Sequence, residues 1–152
     1  MTTIITYGTF DMFHIGHLNL LVDLRSRCDR LIVGVSTDEF NSIKGKKVVI
    51  PYAQRAAIVS EISGVDLVIP ENSWQQKRDD IKKYNVDIFA IGDDWRGKFD
   101  DLIDCCEVLY LKRTEGISTT ELKNTLKTIS KIPKDEIIKA FEVLEQLRQD
   151  FE

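Results

Sequence analysis

The chain opens on a β-branched and aromatic run, Thr3-Ile4-Ile5-Thr6-Tyr7, closed by Gly8, which predicts a strand. A polar turn follows, and from about Gly16 the residues Leu18, Leu21, Val22 and Arg25 recur at helical spacing. Arg30–Val35 reads as a second strand, apolar on consecutive positions, as expected for a parallel strand covered on both faces. Thr37 to Val49 is polar and lysine-rich and reads as a loop. Pro51 suits the first turn of a helix running to about Ile62. Val65–Ile69 is a third strand, which Pro70 is expected to stop. A helix over about Trp74–Tyr84, a strand over Val86–Ile91 closed by Gly92, a fifth strand over Glu107–Leu111 and a helix over about Ser118–Ile129 complete the pattern.

Strands alternating with helices at this spacing imply right-handed βαβ units. The expected fold class is α/β: a Rossmann-like, parallel, five-stranded sheet with helices on both faces. The last segment adds a further C-terminal helix. Pro133 can start it, and Asp135 and Glu136 favour its positive end. Ile137, Ala140, Phe141, Leu144, Leu147 and Phe151 then fall on one stripe, to be covered by its own domain or by another subunit. Residues 1–130 are therefore expected to form one domain and residues 131–152 a helical extension.

Composition narrows the function classes. The chain has 152 residues, 43% hydrophobic and 30% charged, which is ordinary globular composition. No apolar run approaches the ~18 residues of a membrane-spanning helix, and no secretory leader is visible. The net charge of −4 and the lack of a long basic run argue against a nucleic-acid partner. Three cysteines, Cys28, Cys105 and Cys106, make no disulfide framework and point to reduced thiols in a cytoplasmic protein.

Ligands of an open parallel sheet bind beyond the carboxyl ends of its strands. The loop after the first strand, Gly8 to His17, should lie there and lead into a helix N-terminus, whose N–H groups and partial positive charge suit a phosphate. It carries both histidines of the chain, His14 and His17, with Gly16 between them. Zinc is not favoured, because no third and fourth ligand is spaced with them. After the fifth strand, Arg113-Thr114-Glu115-Gly116-Ile117-Ser118-Thr119-Thr120 reads as a loop becoming a helix capped by Ser118 or Thr119. A guanidinium, a glycine, hydroxyls and helix N–H groups again suit a phosphate.

His14-Ile15-Gly16-His17, after Gly8-Thr9-Phe10-Asp11, resembles the signature of the nucleotidyltransferase superfamily, which class I aminoacyl-tRNA synthetases share. Taken with Arg113–Thr120, the chain is similar to the cytidylyltransferases, and to the bacterial glycerol-3-phosphate cytidylyltransferase family over positions 1 to about 126. Further matching segments are Ser36–Asn41, Lys44 with Lys46-Lys47, Trp74 through Lys77, and Gly92-Asp93-Asp94-Trp95. The tail from about Thr128 lies beyond that family's usual end, and Ser63 stands where the family pattern has an arginine.

The resemblance implies transfer of CMP from CTP to sn-glycerol 3-phosphate, giving CDP-glycerol and pyrophosphate for a teichoic-acid or capsule-type polymer. Another polyol phosphate or an amino-acid-derived phosphate is the alternative acceptor. It implies His14, His17, Lys46 and Arg113 as catalytic residues. Thr9, Phe10, Asp94, Thr114, Gly116, Ile117, Ser118, Thr119 and Thr120 would join them around the nucleotide. Lys44, Lys77, Asp11 and Asp38 would meet the acceptor. Mg²⁺ would arrive with CTP, no direct protein ligand is expected for it, and the protein would be a homodimer. Arg55 is open between an ion-pair and a site-supporting role, and Trp74 and Trp95 between site walls and core. A synthetase needs a tRNA-binding apparatus that a short acidic chain cannot hold, and a dinucleotide-binding domain needs G-x-G-x-x-G where this turn is Gly-Thr-Phe-Asp. A catalytically silent nucleotide sensor is disfavoured by the presence of all the histidines, lysines and Arg113 together.

Overall fold

The computed structural model describes residues 1–151. Met1–Ile117 forms one compact unit, and a second begins at Ser118. The first unit is built on β1 (Thr3–Gly8), β2 (Arg30–Ser36), β3 (Leu67–Glu71), β4 (Ile88–Gly92) and β5 (Glu107–Leu111). All pairings are parallel, in the order β3-β2-β1-β4-β5. Helices α1 (Ile15–Arg25), α2 (Asp38–Ile43), α3 (Tyr52–Ser60) and α4 (Gln76–Lys83) connect the strands, with single 3₁₀ turns at Asp93–Trp95 and Asp100–Leu102.

Successive side chains of a strand face opposite sides of the sheet, and both sides are buried here. Ile4 packs with Leu21, Leu24, Leu31, Val33 and Val59 on one face. Ile5 and Tyr7 pack with Ile32, Ile69, Ile81 and Phe89 on the other. This is why the strands read as continuous apolar runs. Gly34 is required by a close approach: a Cβ there would lie 2.2 Å from a Tyr7 ring atom. The ring therefore lies against β2, and its hydroxyl donates to Asp80 at 2.7 Å.

Two expectations are corrected. The segment 37–49 is not all loop. Thr37 accepts from the Phe40 N–H, and with Asp38 and Glu39 in the first turn it starts α2. The lysines that made the segment look loop-like follow the helix. Pro70 does not stop β3 but pairs opposite Val35, with Glu71 continuing the strand. β3 is an edge strand, where a missing N–H can face away from the ladder.

In the second unit, Ser118 caps α5 (Thr119–Ser130) by accepting from the Glu121 N–H, and α6 (Lys134–Asp150) follows Pro133. Ile137, Phe141, Leu144 and Leu147 of α6 are exposed. Among the described residues no helix is long and apolar enough to cross a membrane.

The chain leaves the central strand β1 toward β2 and β3, then returns to β4 and β5 on the other side. That reversal opens a crevice at the carboxyl ends of β1 and β4. The loops that follow β1 to β5, and the first turns of the helices they lead into, supply the candidate site residues of the first unit.

Candidate active site

The loop after β1 is held in an unusual conformation. Phe10 and Met12 have φ of 53° and 47°, the left-handed region that side chains other than glycine seldom adopt. Each such residue costs on the order of 1–3 kcal/mol and persists only when its surroundings enforce it. The enforcement is visible. Arg55 Nη1 donates to the Thr9 carbonyl at 2.7 Å, and Thr9 Oγ1 donates to Asn41 Oδ1 at 3.3 Å. Asp11, expected to meet the acceptor, is instead buried, and its carboxylate accepts from the N–H groups of Val49 at 2.7 Å and Ile50 at 2.9 Å. It ties the β1 loop to the segment before α3.

His14 and His17 sit where the loop becomes α1. His14 is the N-cap, its Nδ1 accepting from the Gly16 N–H at 3.0 Å. His17 Nδ1 reaches back to accept from the His14 N–H at 3.1 Å. A nitrogen that accepts carries no proton, so each imidazole is assigned the tautomer with its hydrogen on Nε2. The rings stack with centroids 3.9 Å apart. Gly16 makes this possible: a Cβ there would lie 2.8 Å from His14 Cε1.

Both histidines are held neutral. Burial, and then the His14 ring and Arg113, bring His17 down to about 4, with Asp11 opposing. Burial and Arg113 also lower His14. An NMR titration of the ligand-free protein should therefore show His17 changing charge near pH 4, whereas a midpoint at 6.5 would contradict the buried, positively flanked setting of its ring. The linked stability follows in sign. As pH falls from 6.5 toward 4 the unfolded chain takes up a proton that the native protein refuses, so stability drops across that window.

The loop after β5 lies beside this helix start. Asn19 Nδ2 donates to Thr114 Oγ1 at 3.2 Å, and Ile117 covers Gly16. Gly116 adopts φ +80°. Arg113 Nη2 pairs with Asp94 Oδ2 at 2.7 Å. Asp94 can turn toward it because Gly92 has no side chain; a Cβ there would lie 2.7 Å from Asp94 Oδ1. Ser118, Thr119 and Thr120 form the cap and first turn of α5, in the second unit.

The lysines divide. Lys46 is exposed, its Nζ 5.6 Å from the Trp95 ring centroid. Lys44 and Lys77 are turned inward onto Glu71, which ends β3. These three line a cavity of about 50 Å³ together with Tyr7, Thr9, Trp74 and Trp95. Trp74, Lys77 and Trp95 also border a larger, open cavity of about 630 Å³. The two tryptophans are thus cavity walls, 5.6 Å apart.

Asp38 is likewise committed within the protein. It accepts from the Tyr52 N–H at 3.1 Å and from Arg55 Nη2 at 2.8 Å, contacts that hold its carboxyl below the usual range. Arg55, only 1% exposed, also donates to the carbonyls of Ile50, Thr9 and Ser36. Its role is to support the site loops. Sequence reasoning missed Glu71 and gave Ser36 and Asn41 no role beyond a matching segment; the available signal was that Ser36 and Glu71 end β2 and β3, with Asn41 following in α2. Among the described residues no three His, Cys, Asp or Glu side chains group as a metal site.

The family model for cytidylyltransferase-like proteins matches residues 5–125. The chain is 56% identical to glycerol-3-phosphate cytidylyltransferase of Staphylococcus aureus over 126 residues, covering 83% of this chain and 96% of that protein. Identity to the Bacillus subtilis enzyme of the same name is 53%, covering 83% of this chain and 98% of that one. In fold the chain is similar to a lipopolysaccharide core biosynthesis protein from Thermoplasma volcanium, with a TM-score of 0.64 at 22% identity, over 76% of this chain and 99% of that one.

Proposed function

Because the chain belongs to the cytidylyltransferase-like family, in the branch of the glycerol-3-phosphate cytidylyltransferases, we propose that it transfers CMP from CTP to sn-glycerol 3-phosphate. The products are CDP-glycerol and pyrophosphate. CDP-glycerol then serves as an activated donor for a teichoic-acid-type surface polymer.

The observation that carries this reading is the pair of stacked neutral imidazoles at the start of α1, each with Nδ1 engaged by backbone and its proton on Nε2. Two fixed donors beside a helix N-terminus suit the phosphates of a nucleotide. The acceptor's phosphate oxygen attacks the α-phosphorus, the bond to the β-phosphate oxygen breaks, and pyrophosphate leaves. The attacking oxygen is already an anion, so no general base is needed. Catalysis is positioning and charge neutralisation. His14 and His17 donate to the phosphates, while Lys46 and Arg113 add positive charge as it builds on the leaving group. Thr9, Phe10, Thr114, Gly116 and Ile117 enclose the nucleotide. Mg²⁺ arriving with the triphosphate would supply further neutralisation, and Asp94 would help hold it through water. Lys44 and Lys77 hold the acceptor phosphate.

We extend the reading to a cytoplasmic homodimer, supported by three free thiols and by the exposed apolar stripe of α6, which a second copy would cover.

An acceptor screen at fixed CTP tests the substrate. Glycerol 3-phosphate should give the highest kcat/KM among small phosphate monoesters. A larger value for another polyol phosphate or for phosphoethanolamine would replace it as the acceptor.

A further inference from the structure

The small cavity has an unusual floor. Glu71 Oε2 lies 2.7 Å from Lys77 Nζ, and Glu71 Oε1 lies 3.6 Å from Lys44 Nζ. Ser36 Oγ donates to Glu71 Oε1 at 2.6 Å and accepts from Lys44 at 3.0 Å. The side chains of Glu71, Lys77 and Lys44 are only 4%, 3% and 8% exposed. Around Lys77 stand the rings of Tyr7, Trp74, Phe99 and Phe40, with centroids 4.7, 5.0, 5.7 and 5.9 Å from Nζ. Tyr7 gives Lys77 only its ring face, because its hydroxyl is engaged with Asp80.

Burying an ammonium group is costly unless an anion lies beside it. Here one carboxylate serves two cations, and Lys46 lines the same cavity, so the wall carries a surplus of positive charge. That surplus suits an anion arriving from the cavity. The Phe40 and Trp74 rings also stand against both lysines, but among these contacts Glu71 is the one anion that reaches both. We propose that Glu71 is the positioning residue of the acceptor site, holding Lys44 and Lys77 aligned so that together they grip a phosphate monoester. The inference rests on the reading that these lysines hold the acceptor phosphate.

A bare charge count would say the opposite, that removing a carboxylate strengthens an anion site. The surroundings of Lys44 decide against it. Burial already lowers Lys44, Lys46 and Lys77 lower it further, and Glu71 is the group that opposes them. Without that carboxylate, Lys44 sheds its proton more readily and Lys77 sits among rings with no anion.

The test is steady-state kinetics on Glu71→Gln, Glu71→Asp and Lys44→Gln with CTP and glycerol 3-phosphate. For Glu71→Gln the acceptor KM should rise ~10-fold or more while the CTP KM stays within ~3-fold. The defect should deepen as the pH rises and Lys44, already lowered by burial, loses its proton. Glu71→Asp keeps the charge but not the reach. It should restore the wild-type pH profile while leaving acceptor KM several-fold high, and it keeps the question decidable if Glu71→Gln does not fold. An unchanged or lower acceptor KM in both Glu71 variants, with Lys44→Gln raising it, overturns the role of Glu71 alone. An acceptor KM unmoved in Lys44→Gln overturns the reading of the lysines as well.

Discussion

Replacing His14 or His17 by alanine lowers kcat by about 10²-fold or more, the scale on which loss of one preorganised donor to transition-state charge is felt. Each substitution removes two things. One is the Nε2 donor, and the other is a backbone acceptor at the start of α1, worth ~1 kcal/mol of stability. Asparagine separates them. Its side-chain oxygen can stand in for Nδ1 and recover the backbone contact, but its nitrogen does not reach the place of Nε2. His14→Asn and His17→Asn should therefore regain thermal stability relative to alanine while remaining as slow. If the asparagine variants recovered turnover together with stability, the histidines would be caps and not donors.

Arg55→Met produces the largest loss of stability. The guanidinium donates to the carbonyls of Thr9, Ser36 and Ile50 and pairs with Asp38, all from a buried position. Its removal leaves three carbonyls and a carboxylate without their donor. Breaking a buried charged network of this kind costs on the order of 3–5 kcal/mol. The thermal midpoint should fall by on the order of 10 °C. Activity should fall with it, because the strained Phe10 and Met12 backbone loses its support through Thr9. Lysine should not rescue, since one ammonium cannot donate to the carbonyls of Ile50, Thr9 and Ser36 and to the Asp38 carboxylate at the same time. A shift of only a degree or two in Arg55→Met would contradict the clasp.

The sheet was legible because a parallel strand buried on both faces is apolar at consecutive positions, as in Leu31-Ile32-Val33. Local signals failed where tertiary context decided. Pro70 reads as a strand stop until β3 is known to be an edge, and α2 carries a cap and acidic first turn that the following lysines obscure. At the site, the spacing of His14 and His17 was informative because a helix start translates it directly into geometry. The left-handed backbone of Phe10 and Met12 was not, since neither residue type announces it. Asp11 and Asp38 looked like site-edge carboxylates from their loop positions, yet both are bound to backbone N–H groups of residues 49–52, from another part of the chain. Glu71 gained meaning only when the fold brought Lys44 and Lys77 to it.

The most direct measurement follows the phosphorus nuclei of CTP, Mg²⁺ and sn-glycerol 3-phosphate with the wild-type protein. CDP-glycerol and pyrophosphate should appear together in equal amounts, with ATP turned over at least ~10-fold more slowly than CTP. Equal turnover with ATP, or pyrophosphate release without CDP-glycerol, would contradict the assignment.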